Sequence, residues 1–224
     1  MFSFQEWKLR MYIVALLAGV LASLDARAVP PAPALPPVLL VHGMSSTGRD
    51  MERLARHLRS LGREVHVPTL TPNRGQAPLD DLARQLAQYA AREFHGRHFD
   101  IVGFSMGGLV ARYYLQRLGG LDSVNHFVTL AAPHHGTRMA RLGKLPGWVQ
   151  MRPGSEFLGD LASDADSLRR VKFTSIYTPL DTIIVPARSS EMPQARNIRI
   201  WAAMHPSLIL EKRCIRAVAD ALSE

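Results

Sequence analysis

The 224-residue chain contains a single cysteine, Cys214. No intramolecular disulfide can form, so the fold must rest on its core. Cys214 sits in a helical pattern near the end of the chain with no motif around it. It reads as a buried small hydrophobe rather than a catalytic thiol. No apolar run reaches the roughly 20 residues that a membrane-spanning helix needs. No internal repeat is visible, which excludes solenoids and propellers. The histidines lack ligand spacing to cysteines or carboxylates, so no metal site is expected. The charge is unbalanced, with 27 basic against 19 acidic residues and a formal net charge of +8. The arginines are nevertheless scattered along amphipathic stretches, as at Arg49, Arg53, Arg56 and Arg59, and no nucleic-acid motif accompanies them. A solvated basic surface with a weak attraction to anionic lipid surfaces accounts for the excess.

The N-terminus reads as a signal. Trp7-Lys8-Leu9-Arg10 is basic, Met11 to Leu24 is apolar, and Asp25-Ala26-Arg27-Ala28 places small residues where a signal peptidase reads. Residues 1–28 are therefore expected to be a signal peptide, making the protein secreted or periplasmic, with an uncleaved anchor as the alternative. A leader rich in Pro and Ala follows at 29–37. Residues 38–224, in a chain that is 47% hydrophobic and 21% charged, suffice for one compact domain.

Strands and helices alternate through that domain. Val38-Leu39-Leu40-Val41 reads as a buried parallel strand, and Met51, Leu54, Ala55, Leu58 and Leu61 mark a helix stopped by Gly62. A strand is expected over 64–70, a helix from Leu79 to Phe94, a strand over 99–104, a helix from Met106 to about Leu118 and a strand over 124–130. After an irregular stretch come strands at 173–177 and 197–202 and a last helix from about Ser207 to Leu222. The fold class is α/β: a mostly parallel sheet with helices on both faces. The stretch from Pro133 to about Arg170 breaks the rhythm and is a possible lid or pocket segment, in which Leu145 and Trp148 are candidate substrate-binding residues.

The chemistry centres on Gly103-Phe104-Ser105-Met106-Gly107, a G-x-S-x-G nucleophile elbow with an apolar strand before it and a helix after it. A serine hydroxyl needs a base, and the base needs an orienting acid. The chain order Ser, Asp, His favours Asp181 and His205, which follow consecutive strands. His126 lies inside a strand. His134 and His135 follow one but lack a suitable acid between them and Ser105. Asp160, Asp164 and Asp166 fall in the irregular stretch and read as caps or solvated charges. The oxyanion donors are expected to be the backbone amides of Met44 and Met106, and His42 a structural histidine bonding loop backbone.

Val41-His42-Gly43-Met44, Gly103-Phe104-Ser105-Met106-Gly107-Gly108, Phe173-Thr174-Ser175-Ile176-Tyr177 with Asp181, and Ala195-Arg196-Asn197 together resemble the small bacterial secreted triacylglycerol lipases and esterases of the α/β-hydrolase superfamily. The resemblance spans about Pro37 to Leu222. It implies a catalytic triad of Ser105, Asp181 and His205 with Met44 and Met106 as oxyanion donors. Ala132-Pro133-His134-His135-Gly136-Thr137 resembles a motif at the start of the lid-side region of many lipases. The implied activity is hydrolysis of carboxylic esters, by a lipase or carboxylesterase, on small-molecule or lipid substrates with no cofactor and no nucleic-acid partner. The alternatives are an acyltransferase or thioesterase using the same triad, or a non-catalytic binding protein on the same fold.

Overall fold

The computed structural model describes residues 4–6, 8, 11–13 and 35–224. The chain divides into two compact units, Met1–Ala34 and Leu35–Glu224. In the first, the described residues are helical. The expected signal segment and leader otherwise lie outside the described residues. Among the described residues, no helix is long and apolar enough to cross a membrane.

The second unit is built on six parallel strands: β1 (Val38–Val41), β2 (Val65–His66), β3 (Phe99–Phe104), β4 (Val124–Leu130), β5 (Lys172–Tyr177) and β6 (Arg196–Arg199), in the order β2-β1-β3-β4-β5-β6. Every residue of β1 and β3 is buried. That is why these strands read as continuous apolar runs rather than alternations. Their side chains divide by parity between two cores. Leu39, Val41, Phe99 and Ile101 join one cluster, and Val38, Leu40, Val102 and Phe104 join the other. Helices α2 (Leu79–Phe94) and α3 (Met106–Arg117) cover the first face; α1 (Glu52–Ser60) and α6 (Lys212–Ala221) cover the second.

The edges differ from the sequence expectation. The strand expected over 64–70 pairs only at Val65 and His66. Pro68 has no N–H for a ladder, and the next polar backbone group is taken by a side chain: Leu70 N–H donates to His42 Nε2 at 2.9 Å. The strand expected over 197–202 ends at Arg199, apart from one further bond from Ile200 N–H to Tyr177 O at 2.8 Å. The last helix is split. A 3₁₀ turn spans His205–Leu210, Glu211 is extended at φ −72° and ψ 124°, and α6 begins at Lys212.

The irregular stretch folds into a 3₁₀ turn (Arg138–Leu142), helices α4 (Pro146–Gln150) and α5 (Glu156–Ser163), and a second 3₁₀ turn (Ala165–Arg170). Met151, Phe157, Leu158 and Leu161 bury into the α3-side core. Gln150 ties the stretch to α2, accepting from Leu79 N–H at 2.5 Å and donating to Asp80 at 2.9 Å.

In this strand order the chain leaves β1 to one side for β2 and returns to the other side for β3. Loops after β1 and β3 therefore diverge and open a crevice at the carboxyl ends of these two strands, the switch point where open α/β sheets bind ligands.

Candidate active site

Ser105 occupies that crevice. It ends β3 and starts α3 with φ +54° and ψ −124°, a left-handed conformation that side chains rarely adopt. Its surroundings impose the glycines. A Cβ on Gly103 would lie 2.6 Å from Gly108 Cα and 2.7 Å from Gly107 O. A Cβ on Gly107 would lie 2.5 Å from Val41 O and would also strike His42 O. The helix can thus leave the strand sharply and press its first turn against the end of β1.

That first turn carries Met106, whose N–H precedes any helical partner. The loop after β1 carries Met44. Among the described residues, neither amide donates to a protein acceptor. The Met44 loop is braced by His42, whose Nδ1 donates to Gly43 O at 2.8 Å while Nε2 accepts from Leu70. Burial lowers the His42 pKa, consistent with the neutral ring that this pairing needs.

His205 opens the 3₁₀ turn after β6, and Asp181 lies four residues beyond β5. The Ser105 hydroxyl donates to His205 Nε2 at 2.8 Å, and His205 Nδ1 donates to Asp181 Oδ2 at 2.7 Å. Asp181 Oδ1 accepts two backbone amides, Ile183 and Ile184, each at 2.8 Å. The Phe104 ring lies 4.9 Å from the imidazole, centroid to centroid, tilted by 32°. All three polar side chains are nearly out of solvent, at 9% exposure for Ser105, 8% for Asp181 and 5% for His205. A buried imidazole held between a hydroxyl and a carboxylate is equipped to take a proton from one while its positive charge is offset by the other.

The remaining candidates fall elsewhere. His126 donates to Asp100 at 2.7 Å, beside an Arg63–Asp100 ion pair of 2.6 Å. His134 is buried against Thr129 of β4, and burial holds its pKa well below the usual value. Asp160 and Asp164 pair with Arg117 at 2.9 Å each, and Asp166 pairs with Arg169 at 3.3 Å. Cys214 is 1% exposed, and burial pushes its thiol up to about 12.

A cavity of about 490 Å³ opens over Ser105 and His205. Met44, Phe104, Trp148, Ile183, Ile209 and Leu210 give it apolar walls. Trp148 is where the irregular stretch reaches the site. Its indole lies between Gly75 and Gly143, at both of which a Cβ would strike the ring, and Gly147 N–H donates to Gly75 O at 3.0 Å. Leu145 does not line the cavity. It precedes α4, and its side chain is 44% exposed. Ile183, Ile209 and Leu210 were absent from the sequence reading. Ile183 lies in a loop, and Ile209 and Leu210 end the short 3₁₀ turn, where no α-helical periodicity marks a face.

Residues 37–153, from before β1 through the elbow to α4, match the palmitoyl protein thioesterase family. The chain belongs to that family. As a family member it shares its fold with solved lipases and esterases of the α/β-hydrolase superfamily. The mature form of the Bacillus licheniformis lipase BlEst2 is 19% identical, with a TM-score of 0.73, the match covering 87% of this chain and 94% of the lipase. Aspergillus fumigatus lipase B is 19% identical, with a TM-score of 0.75 over 89% of this chain and 55% of the fungal chain. A thermophilic esterase from Thermogutta terrifontis is 19% identical, with a TM-score of 0.60 over 84% of this chain and 89% of the esterase. This palmitoyl protein thioesterase family member thus has the α/β-hydrolase fold and stands among hydrolases of esters and thioesters.

Proposed function

We propose that the protein is a serine hydrolase that cleaves acyl esters through an acyl-enzyme on Ser105. The observation that carries this reading is the unbroken line from Ser105 through His205 to Asp181, with bonds of 2.8 and 2.7 Å, on the wall of an apolar cavity. His205 takes the Ser105 proton as the hydroxyl oxygen attacks the ester carbonyl. The Met44 and Met106 amides hold the developing oxyanion. The imidazolium, stabilised by Asp181, gives its proton to the leaving alcohol. Water then enters, loses a proton to His205 and releases the acid, and Ser105 is regenerated. No step calls for a cofactor. The apolar walls suit the acyl chain of a small-molecule or lipid ester, and the N-terminal pattern suits an exported enzyme with transient contact to lipid surfaces.

A second reading, hydrolysis of acyl thioesters, is favoured by the family match over residues 37–153. The same line of groups serves it, since a thiolate leaves more readily than an alkoxide. The test is a matched series of p-nitrophenyl esters and acyl thioesters, from acetyl to palmitoyl, with wild type and Ser105→Ala. Ester turnover that Ser105→Ala abolishes, and single labelling of Ser105 by a serine-directed organophosphonate, are expected. Turnover of thioesters alone would select the second reading. More than a few percent of wild-type activity in Ser105→Ala would end both, because loss of a triad nucleophile removes orders of magnitude of rate.

A further inference from the structure

Asp181 is held from behind as well as by His205. The Ile184 N–H that donates to Asp181 Oδ1 belongs to the same peptide unit as the Ile183 carbonyl. In a trans peptide these two groups point in opposite directions. The far end of that peptide meets Thr137, whose hydroxyl donates to Ile183 O at 2.6 Å. The Thr137 oxygen in turn accepts from Val185 N–H at 3.0 Å, so one side chain grips the acid loop at two successive peptides. Thr137 is 4% exposed. The chain around it is stitched to the same loop. Arg138 N–H donates to Val185 O at 2.9 Å, His135 N–H donates to Ser189 O at 3.1 Å, and the Ser189 hydroxyl donates to Gly136 O.

We propose that Thr137 is a positioning residue for catalysis: its hydroxyl, the 183–184 peptide, Asp181, His205 and Ser105 form one continuous hydrogen-bonded line. The inference rests on the reading of Ser105, His205 and Asp181 as the reacting groups. Two effects follow from the arrangement. The peptide cannot rotate while its carbonyl is held, so its N–H stays aimed at Oδ1. The hydroxyl also polarises the peptide, which strengthens that N–H as a donor, since bonds in a chain reinforce one another in a low-dielectric interior. A carboxylate that accepts backbone N–H bonds has its charge dispersed over them. Thr137 therefore sets how strongly Asp181 draws on the imidazole as well as where it stands. Thr137 itself does not line the cavity over Ser105, so binding should be spared.

Thr137→Val exchanges the hydroxyl for a methyl group of similar size. Active enzyme is counted by organophosphonate titration, so unfolded protein does not enter the rates. A loss of about tenfold to a hundredfold in kcat with KM unchanged is expected, the scale on which a misplaced catalytic group costs rate. The acidic limb of the kcat/KM profile should move to higher pH, because an Asp181 with fewer donors holds the imidazolium more strongly. Thr137→Ser should restore both to near wild type. The low-field proton resonance of His205 Nδ1 reads the bond to Asp181 directly, without any substrate. It should shift in Thr137→Val and return in Thr137→Ser. Thr129→Val is the control, since the Thr129 hydroxyl donates to Ser175 Oγ at 3.1 Å in the core, off the line. It should lower Tm without moving the limb or the resonance. A wild-type limb and resonance in Thr137→Val, or the same changes in Thr129→Val, would overturn the proposal. If instead the resonance moves as expected while turnover does not depend on Ser105, the functional reading fails and the Thr137 line stands as structure.

Discussion

The elbow around Ser105 and the loop around Asp181 both hold a side chain at the crevice, and they do so by opposite means. At the elbow the fold depends on atoms that are missing. Gly103 and Gly107 leave out side chains that backbone of α3 and β1 would strike. At the acid loop the fold depends on atoms that are present. Thr137 and Ser189 supply hydroxyls to carbonyls and amides that no regular ladder satisfies. At Gly103 the exclusion comes from near neighbours, Gly107 and Gly108, and so leaves a local signature in sequence. Buried polar groups in irregular backbone must also find partners, but those partners come from wherever the chain passes. Thr137 lies 46 positions from the Ile183 carbonyl it satisfies.

The largest effect that separates these two kinds of order is at Asp181. Asp181→Asn should keep the fold and reduce turnover by about 10⁴-fold, the scale on which an orienting aspartate supports its histidine. Asp160→Asn, which touches only the exposed pair with Arg117, should change activity little and stability by at most about 1 kcal/mol. Rates on a short p-nitrophenyl ester decide it. A severe loss at Asp160 with a mild one at Asp181 would transfer the acid role.

Two glycines carry the same comparison into stability. In Gly107→Ala the new methyl meets the Val41 and His42 carbonyls, which are backbone and cannot turn aside. Unfolding in urea should show a loss of about 3 kcal/mol, the upper end for an overfilled core. Gly159 lies inside α5 with nothing within 4 Å of a Cβ. Gly159→Ala should stabilise by about 0.5–1 kcal/mol, because alanine gives up less backbone freedom in a helix. A gain at Gly107 like the one at Gly159 would mean that the elbow glycine answers to conformational entropy rather than contact.

These contrasts explain how much could be read in advance. The β1, β3 and β4 strands, α2 and the start of α3 follow from runs and spacings within about a dozen residues, and they fall at the expected positions. The parallel sheet and the nearness of Ser105, Asp181 and His205 follow from strand order and chain order. The edge strands β2 and β6 are shorter than expected: each has one neighbour, and beyond their ends side chains take the amides, His42 that of Leu70 and Thr178 that of Ala202. The cavity wall was half legible. Trp148 stood out as a large aromatic in an apolar loop, whereas Leu145, equally apolar in sequence, faces outward. Which of the two turns inward is decided by Gly75 and Gly143, which leave a slot for one indole.

That slot gives a prediction about substrate rather than fold. Trp148→Ala should widen the cavity and lower kcat/KM for long acyl chains more than for acetate or butyrate. Each methylene that loses its apolar contact costs up to about 0.8 kcal/mol, so the discrimination should steepen with chain length. A uniform loss at all lengths together with a lower Tm would identify Trp148 as a spacer between α4 and the 75 loop, with no part in holding the acyl chain.

The smallest effect concerns the buried histidine beside β4, and its sign follows from its bonds. The Thr129 hydroxyl donates to Ser175 Oγ at 3.1 Å, and the Ser175 hydroxyl donates to Ser190 O at 2.6 Å. With its proton so committed, Thr129 Oγ1 can only accept from His134, at 3.1 Å from Nε2. His134 is thus neutral with its proton on Nε2, and burial, with Arg112 and His135 nearby, holds its pKa well below 6.5. The unfolded chain binds a proton at ordinary pH for histidine while the folded one does not. The stability from a neutral His134 is therefore complete above pH 6.5 and is lost as pH falls, at about 1.4 kcal/mol for each unit below that value. His42, lowered by burial too, acts in the same direction. The carboxylates whose pKa is lowered, Asp50, Glu64, Asp80 and Asp166, titrate only at lower pH and leave the window from 6.5 to 5 to the histidines. Urea unfolding at steps across that window should show the slope in wild type and a shallower one in His134→Asn, whose amide can still donate to Thr129 but takes up no proton. Equal slopes in the two proteins would mean that His134 is protonated in the folded state across this window.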